Sequence, residues 1–231
     1  MTTPSTPRTA RTPRTLSTPR TPRTPRTPTP RTPAAAATRG ALRAWLLWTA
    51  GFLAFPVAGI AGMAVAGRVD APAAAALGGL ATGAVLGLGQ ALASSRRLPI
   101  LRWVLATAAA MAVGLMVGAR VVGYGTSLRD LVVMGAVTGA FLGPVQALAL
   151  PDRARYRWAW AVAMPALWAA GWAVTTSAGI AVTDQFTTFG ASGAVTVTAI
   201  LGVLLYAVVP PGTDAPDHVD SRSTTTIGER S

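Results

Sequence analysis

Two glutamines and two threonines are the most regularly placed polar residues of this sequence. Gln90 and Gln146 each lie near the end of a long uncharged stretch, and Thr82 and Thr138 lie two helical turns before them. Amide and hydroxyl groups on facing helices could form a pseudo-symmetric polar site, open towards one membrane face, for a small solute. The same groups could instead bond to neighbouring helices and hold a bundle together. The sequence leaves both interpretations open.

Groups that carry catalysis or bind metals are sparse. The sequence has no cysteine, and its single histidine, His218, lies in a polar C-terminal segment. Asp70, Asp130, Asp152 and Asp184 fall at the ends of apolar stretches or between them. Threonine, serine, glutamine and tryptophan without an activating base do not make a nucleophile. We therefore expect no catalytic residue, no metal site, no cofactor and no enzymatic activity.

Two glycine ladders precede the glutamines. Their members recur at every fourth residue, as Gly79, Gly83 and Gly87 and again as Gly135, Gly139 and Gly143. This spacing places each ladder on one face of a helix, where another backbone can approach closely. We predict tight packing of helices within the chain, with homo-oligomerisation or a pore-lining face as the alternatives.

The elements that carry these residues are predicted membrane helices. Hydrophobic residues make up 51% of the chain and charged residues 12%, against about 25% charged in soluble domains. Six apolar stretches lie at 44–66, 72–95, 101–123, 130–150, 157–181 and 190–210. Each approaches the roughly 20 residues that cross the hydrocarbon core, and backbone groups in lipid must pair within the helix. The predicted fold class is all-α: one six-helix transmembrane domain over 41–211, flanked by disordered tails over 1–40 and 212–231.

The arginines set the predicted orientation. All 20 basic residues are arginines, and only Arg68, Arg120 and Arg129 fall on the side opposite the two termini. The positive-inside rule then places both termini in the cytoplasm and predicts a multi-pass protein of the cytoplasmic membrane. Ala64-Val65-Ala66 leaves open a cleaved signal peptide in the first stretch, which would not change the orientation of the others.

Tryptophans and prolines refine the predicted helices. Three tryptophans closely follow an arginine at a predicted cytoplasmic boundary, where an amphipathic indole is favoured: Trp45, Trp103 and Trp158. Three prolines predict kinks in the first, fourth and fifth helices: Pro56, Pro144 and Pro165.

The N-terminal tail repeats Thr-Pro-Arg over residues 1–38. Frequent proline and the scarcity of large apolar residues predict a solvated, partly polyproline-II segment. Its arginines predict attraction to anionic lipids, which threonine phosphorylation would weaken. We do not expect nucleic acid as a partner, because the tail has no interleaved aromatic residues. A translation start placed too far upstream would also explain the tail.

An internal repeat relates the second and fourth stretches. Residues 79–93 and 135–149 are identical at ten of fifteen positions at an offset of 56 residues, including the threonine and the glutamine. Both copies run in the same direction, so we predict three helical hairpins with a parallel repeat. Many transporters carry inverted repeats instead.

The repeat resembles a group of uncharacterised bacterial multi-pass membrane proteins with repeated hairpins. Their motif is a glycine-rich helix ending in Gln-Trp-Leu, then a basic loop and a helix that starts with tryptophan. The copies here are Gln90-Ala91-Leu92 with Arg96, Arg97 and Trp103, and Gln146-Ala147-Leu148 with Arg153 and Trp158. Alanine stands where the family has tryptophan, and the resemblance covers residues 75–175. It implies a membrane bundle and no particular activity.

Two functional hypotheses follow. The leading one is a non-enzymatic structural or interaction module of the membrane, whose partners are the lipid bilayer and a second copy or another membrane protein. The alternative is a small-solute channel or transporter with a polar site between the second and fourth helices. A transporter predicts a solvated cavity converging on Gln90 and Gln146. A module predicts that these faces are packed shut or shared with a second chain.

Overall fold

The structure, a computed structural model, describes residues 33–180 and 191–209. All regular structure in this part of the chain is helical, which confirms the all-α prediction. The helices are α1 (Pro33–Ala50), a 3-10 turn (Gly51–Leu53), α2 (Ala54–Ala66), α3 (Pro72–Ala93), α4 (Ile100–Val121), α5 (Leu128–Ala149), α6 (Arg157–Ser177) and α7 (Ala191–Val208). The tails over 1–32 and 210–231 lie outside the described residues, as does the segment 181–190.

Within the described residues, four helices are long and apolar enough to cross a membrane: Thr38–Ala66, Pro72–Ala93, Ile100–Val121 and Leu128–Ala149. Six crossings were predicted. The helix α6 is rich in tryptophan and ends in Thr175-Thr176-Ser177, which lowers its hydropathy, and α7 is apolar but shorter. The two additional crossings therefore stay a prediction.

The first helix begins earlier than the sequence pattern indicates. Helix α1 starts at Pro33, inside the range 1–40 that was predicted to be a disordered tail. Proline is favoured in the first turn of a helix, and the four alanines that follow have the highest helix propensity. The hydropathy pattern did not predict the part of α1 before residue 44, because Arg39 and Arg43 interrupt the apolar residues there.

The prolines have different effects in different helices. A 3-10 turn at Gly51–Leu53 separates α1 from α2 one turn before Pro56, whose ring removes the amide that would bond to residue 52. Pro144 and Pro165 instead lie inside the continuous helices α5 and α6.

The helices form a closed ring. Each packs against its neighbours in the chain, and α7 returns to α1. Two indoles close the ring: Nε1 of Trp48 donates to the carbonyl of Thr198 at 2.9 Å, and Nε1 of Trp45 donates to the carbonyl of Ala199 at 3.0 Å. Both indoles fit because Gly202 presents no side chain to them. Because each helix packs on the next, side chains from all of the helices contribute to the interior of the ring.

One end of the ring gathers arginines from two loops. Arg97 in the α3–α4 loop donates through Nη1 to the carbonyl of Val209 at 2.6 Å and lies 4.1 Å from the ring centre of Tyr206. Arg153 in the α5–α6 loop donates to the carbonyl of Arg97 at 3.2 Å. The arginine-rich loops and the C-terminal end of α7 thus meet at one end of the bundle. The loops α2–α3 and α4–α5 lie at the other.

The outer faces of the helices are apolar. Large side chains such as Leu101, Leu148, Val162 and Val203 are more than half exposed in the isolated chain. Water would make this surface unfavourable, whereas lipid tails are as apolar as leucine. The outer surface is consistent with a helical bundle in lipid.

Candidate functional site

The first glycine ladder brings α3 against α4. A Cβ at Gly83 would stand 2.7 Å from both the carbonyl oxygen of Thr107 and the Cα of Ala108. At Gly79 it would stand 2.6 Å from the carbonyl oxygen of Met111. The obstructing atoms belong to the backbone of α4, so only glycine permits this helix spacing.

The second ladder brings α5 against α6 in the same way. A Cβ at Gly139 would lie 2.5 Å from the carbonyl oxygen of Met164, and one at Gly135 would lie 2.8 Å from that of Trp168. Gly143 lies against the carbonyl of Ala161. Both ladders are occupied inside the chain, which leaves neither of them free to pair with a second copy.

Each ladder ends in a glutamine that continues the same helical stripe. Oε1 of Gln90 accepts a hydrogen bond from Nε1 of Trp103 at 3.0 Å, and Oε1 of Gln146 accepts one from Nε1 of Trp160 at 3.2 Å. Nε2 of Gln146 donates to Oγ1 of Thr107 at 2.9 Å and approaches Oε1 of Gln90 at 3.5 Å. We call these five residues the Gln–Trp cluster.

The Gln–Trp cluster is closed to solvent. Gln90 is 4% exposed, and the other four members are 0% exposed. The two indole rings meet edge to face, with centroids 5.7 Å apart and an interplanar angle of 73°. Such an arrangement suits the ring quadrupoles. Both indole N–H groups and the carboxamide of Gln146 are therefore bonded within the protein.

The two predicted threonines lie apart from the glutamines. Thr138 is fully buried against Gly114 of α4, and its Oγ1 has no hydrogen-bond partner among the described residues. Thr82 faces α2 at Gly62 and lines a separate cavity. The structure thus joins Gln90 to Gln146 but does not bring Thr82 and Thr138 to them.

Sequence reasoning missed Trp160 and Thr107 and did not predict the contact that Trp103 makes. Trp103, which was predicted at a cytoplasmic membrane boundary, is buried within the bundle and donates its indole N–H to Gln90. Trp160, not the 67% exposed Trp158, is the partner of Gln146. The Gln-to-Trp interval is 13 residues in the first copy and 14 in the second. An interval of 13 from Gln146 would fall on Ala159, between Trp158 and Trp160, so the spacing alone does not choose between the two tryptophans. Thr107 carried a weaker signal, its position one turn after Trp103 on the same face of α4.

A cavity of about 250 Å³ lies in the other half of the ring. Helices α2 to α7 all contribute to its lining, as do the α2–α3 and α4–α5 loops at Val69 and Thr126. Small and aliphatic residues make up most of its wall, and the rings of Phe55 and Trp168 on it pack against each other with centroids 6.3 Å apart. The described residues of the wall include no charged side chain.

Within the described residues no group of three or more histidine, cysteine or carboxylate side chains is placed to hold a metal. The ion pairs seen there lie at the arginine-rich end, where Asp152 is 3.8 Å from Arg102 and 3.6 Å from Arg157. Asp152 is almost fully exposed, so these contacts contribute little to stability. Comparison of the chain with protein-family models, with curated proteins and with solved structures gives no match.

Proposed function

We propose that this chain is a non-enzymatic, multi-pass protein of the cytoplasmic membrane that acts as a structural or interaction module. The observation that carries the proposal is the closed Gln–Trp cluster. The amides that could have met a solute are instead bonded to Trp103, Trp160 and Thr107. Buried polar groups that are satisfied internally fix the arrangement of a bundle.

The cluster also disfavours the alternative of a channel or transporter built on the same glutamines. Two buried indoles fill the space beside Gln90 and Gln146. A solute reaching either amide would have to displace an indole N–H from its acceptor and leave it unpaired. Helices α3 and α5 are also held to their neighbours through backbone contacts at the glycine ladders, which resist separation.

The proposed partners follow from the surfaces. The arginine-rich end exposes Arg96, Arg153 and Arg155, and cationic side chains beside a bilayer attract anionic lipids by about 1 kcal/mol each. A second copy or another membrane protein would have to contact an outer apolar face, because α4 and α6 occupy the glycine ladders. With the arginine-rich end facing the cytoplasm, as the positive-inside rule predicts, both termini would lie in the cytoplasm.

A thermal-stability screen of the detergent-purified protein tests the proposal. Wild type and the Gln90→Leu/Gln146→Leu variant are compared against ions, small polar solutes and anionic lipids. We expect the variant to melt at a lower temperature, with the same difference in the presence and absence of each solute. A solute at 100 times its dissociation constant adds about 2.7 kcal/mol to stability. A solute-specific rise in melting temperature that vanishes in the variant would replace this proposal with solute binding at the glutamines.

A further inference from the structure

The arginine-rich end of the bundle carries a surplus of positive charge. Its arginines occupy the α3–α4 and α5–α6 loops and the first turns that follow them: Arg96, Arg97, Arg102, Arg153, Arg155 and Arg157. Asp152 is the only acidic residue of these two loops and first turns, and it contacts Arg102 and Arg157. One carboxylate cannot balance six guanidinium groups, so most of this charge is left for a partner.

Two of the arginines present their side chains to such a partner. Arg96 and Arg155 are exposed, and neither guanidinium forms a hydrogen bond or an ion pair with another described residue. Arg97 and Arg157, in contrast, donate to main-chain carbonyls. A guanidinium presents its N–H donors in a fork that matches a carboxylate. The two exposed side chains therefore suit an acidic partner.

The chain itself contains an acidic segment soon after α7. Three aspartates fall within seven residues, Asp214, Asp217 and Asp220, and no arginine lies between residues 209 and 222. The whole chain has only eight acidic residues, so this is where its negative charge is densest. The acidic segment, residues 214–220, lies outside the described residues.

The end of α7 brings the acidic segment within reach of the arginines. The carbonyl of Val208 accepts a hydrogen bond from the backbone N–H of Arg155 at 2.8 Å. The carbonyl of Val209 accepts one from Nη1 of Arg97 at 2.6 Å. Asp214 follows Val209 by five residues, so the two lie within about 18 Å even if the chain between them is fully extended. A short tether gives an effective concentration of about millimolar, at which weak ion pairs can form.

We propose that the acidic segment docks on Arg96 and Arg155 and neutralises part of the charge at this end of the bundle. The docking depends on the end of α7 and the two loops, and it does not depend on the orientation in the membrane. One consequence rests on the lipid partner proposed above. The docked segment and anionic headgroups compete for the same guanidinium groups, so the segment limits the attraction of anionic lipids to this end.

The test follows a nitroxide on Val219→Cys, the single cysteine of the labelled chain, in phosphatidylcholine nanodiscs that hold one full-length copy each. The electron paramagnetic resonance spectrum separates a slow, docked label from a fast, free one. Arg96→Gln/Arg155→Gln should lower the slow-to-fast ratio about three- to tenfold, because two exposed ion pairs are lost. The matched control, Arg68→Gln/Arg129→Gln, removes the same charge at exposed positions of the opposite end and should leave the ratio unchanged.

Two further changes should also free the segment. Asp214→Asn/Asp217→Asn/Asp220→Asn removes its negative charge and keeps the size of the side chains. Raising the ionic strength from about 0.01 M to about 1 M shortens the Debye length from about 30 Å to about 3 Å. A spectrum that is the same in all variants would overturn the docking, as would equal losses of the slow component in both arginine variants. The melting temperature of each variant shows whether it is folded.

Replacing part of the phosphatidylcholine with phosphatidylglycerol tests the competition. We expect the fast component to grow with the fraction of phosphatidylglycerol, and the triple asparagine variant to retain more of this lipid on purification. If the lipid leaves the spectrum unchanged while the asparagine variant still frees the segment, the docking stands and the lipid partner is wrong. If the label is fast in every variant while phosphatidylglycerol still co-purifies, the lipid partner stands and the docking is wrong.

Discussion

At the scale of single residues, Gln146 is the most connected polar side chain of the interior. Its carboxamide accepts from Trp160 and donates to Thr107, so Gln146→Leu leaves a buried indole N–H without its acceptor. We expect the free energy of unfolding to fall by roughly 1–3 kcal/mol, the range for an unpaired buried polar group. The free energies of unfolding of wild type and Gln146→Leu are measured by reversible unfolding in mixed micelles.

A double-mutant cycle separates the hydrogen bond from packing. Trp160→Phe in the Gln146→Leu background removes the donor as well as the acceptor. The two changes should then be less than additive, with a coupling of about 0.5–2 kcal/mol. Strict additivity would mean that the Trp160–Gln146 contact contributes nothing beyond shape.

The sequence predicts part of this residue-scale arrangement. The matched glutamines of the repeat were singled out because alanine and glycine richness does not explain them, and the structure brings them together. Their indole partners could not be assigned, because a buried tryptophan and an interfacial one look alike next to an arginine. Burial of Trp103 depends on which helix its N–H meets, and that is a tertiary property.

At the scale of helices, the glycine ladders give the sharpest expectation. Gly83→Ala would place a Cβ 2.7 Å from the backbone of α4, so the two helices must separate. We expect a loss of about 1–3 kcal/mol of stability, as for other overpacked sites. Gly40→Ala in α1 is the matched control, since nothing lies within 4 Å of its Cβ. That change should be neutral or stabilising by up to about 1 kcal/mol.

The loop between α3 and α4 is fixed to the end of α7 by one arginine. Arg97→Gln removes both the hydrogen bond to the carbonyl of Val209 and the contact with Tyr206. We expect a loss of roughly 1–2 kcal/mol in the unfolding free energy. Arg96→Gln removes the same charge from an exposed neighbour and should change stability by less than about 0.5 kcal/mol. Equal losses of stability in the two variants would mean that the change in net charge, and not the contacts of Arg97, causes the effect.

Helix existence was predictable and helix ends were less so. Apolar length predicted every helical segment seen in the described residues, since lipid leaves few alternatives to a helix. The start at Pro33 and the 3-10 turn at Gly51–Leu53 depend on local backbone geometry, which hydropathy does not register.

At the scale of the whole molecule, the sequence pattern does not predict that the helices form a closed ring. The repeat predicts hairpins, but contact between the first and last helices depends on Trp48 reaching α7 across 150 residues of chain. The cavity follows from that closure. In the part of the chain that the structure describes, helices α1 to α7 surround an interior that the Gln–Trp cluster fills in one half, while the cavity lies in the other.

The orientation of this ring in the membrane can be tested directly, because the chain has no cysteine and labelling has no background. Ser95→Cys lies exposed in the arginine-rich α3–α4 loop, and Thr126→Cys lies exposed in the opposite α4–α5 loop. The positive-inside rule predicts that a membrane-impermeant maleimide added to intact cells labels position 126 alone. Position 95 should react once the membranes are opened, and both should react fully after denaturation. Labelling of position 95 alone in intact cells would invert the proposed topology and place the cavity in the cytoplasmic half. Labelling of both would mean that the intervening helix α4 does not separate two compartments, in spite of its 22 apolar-rich residues.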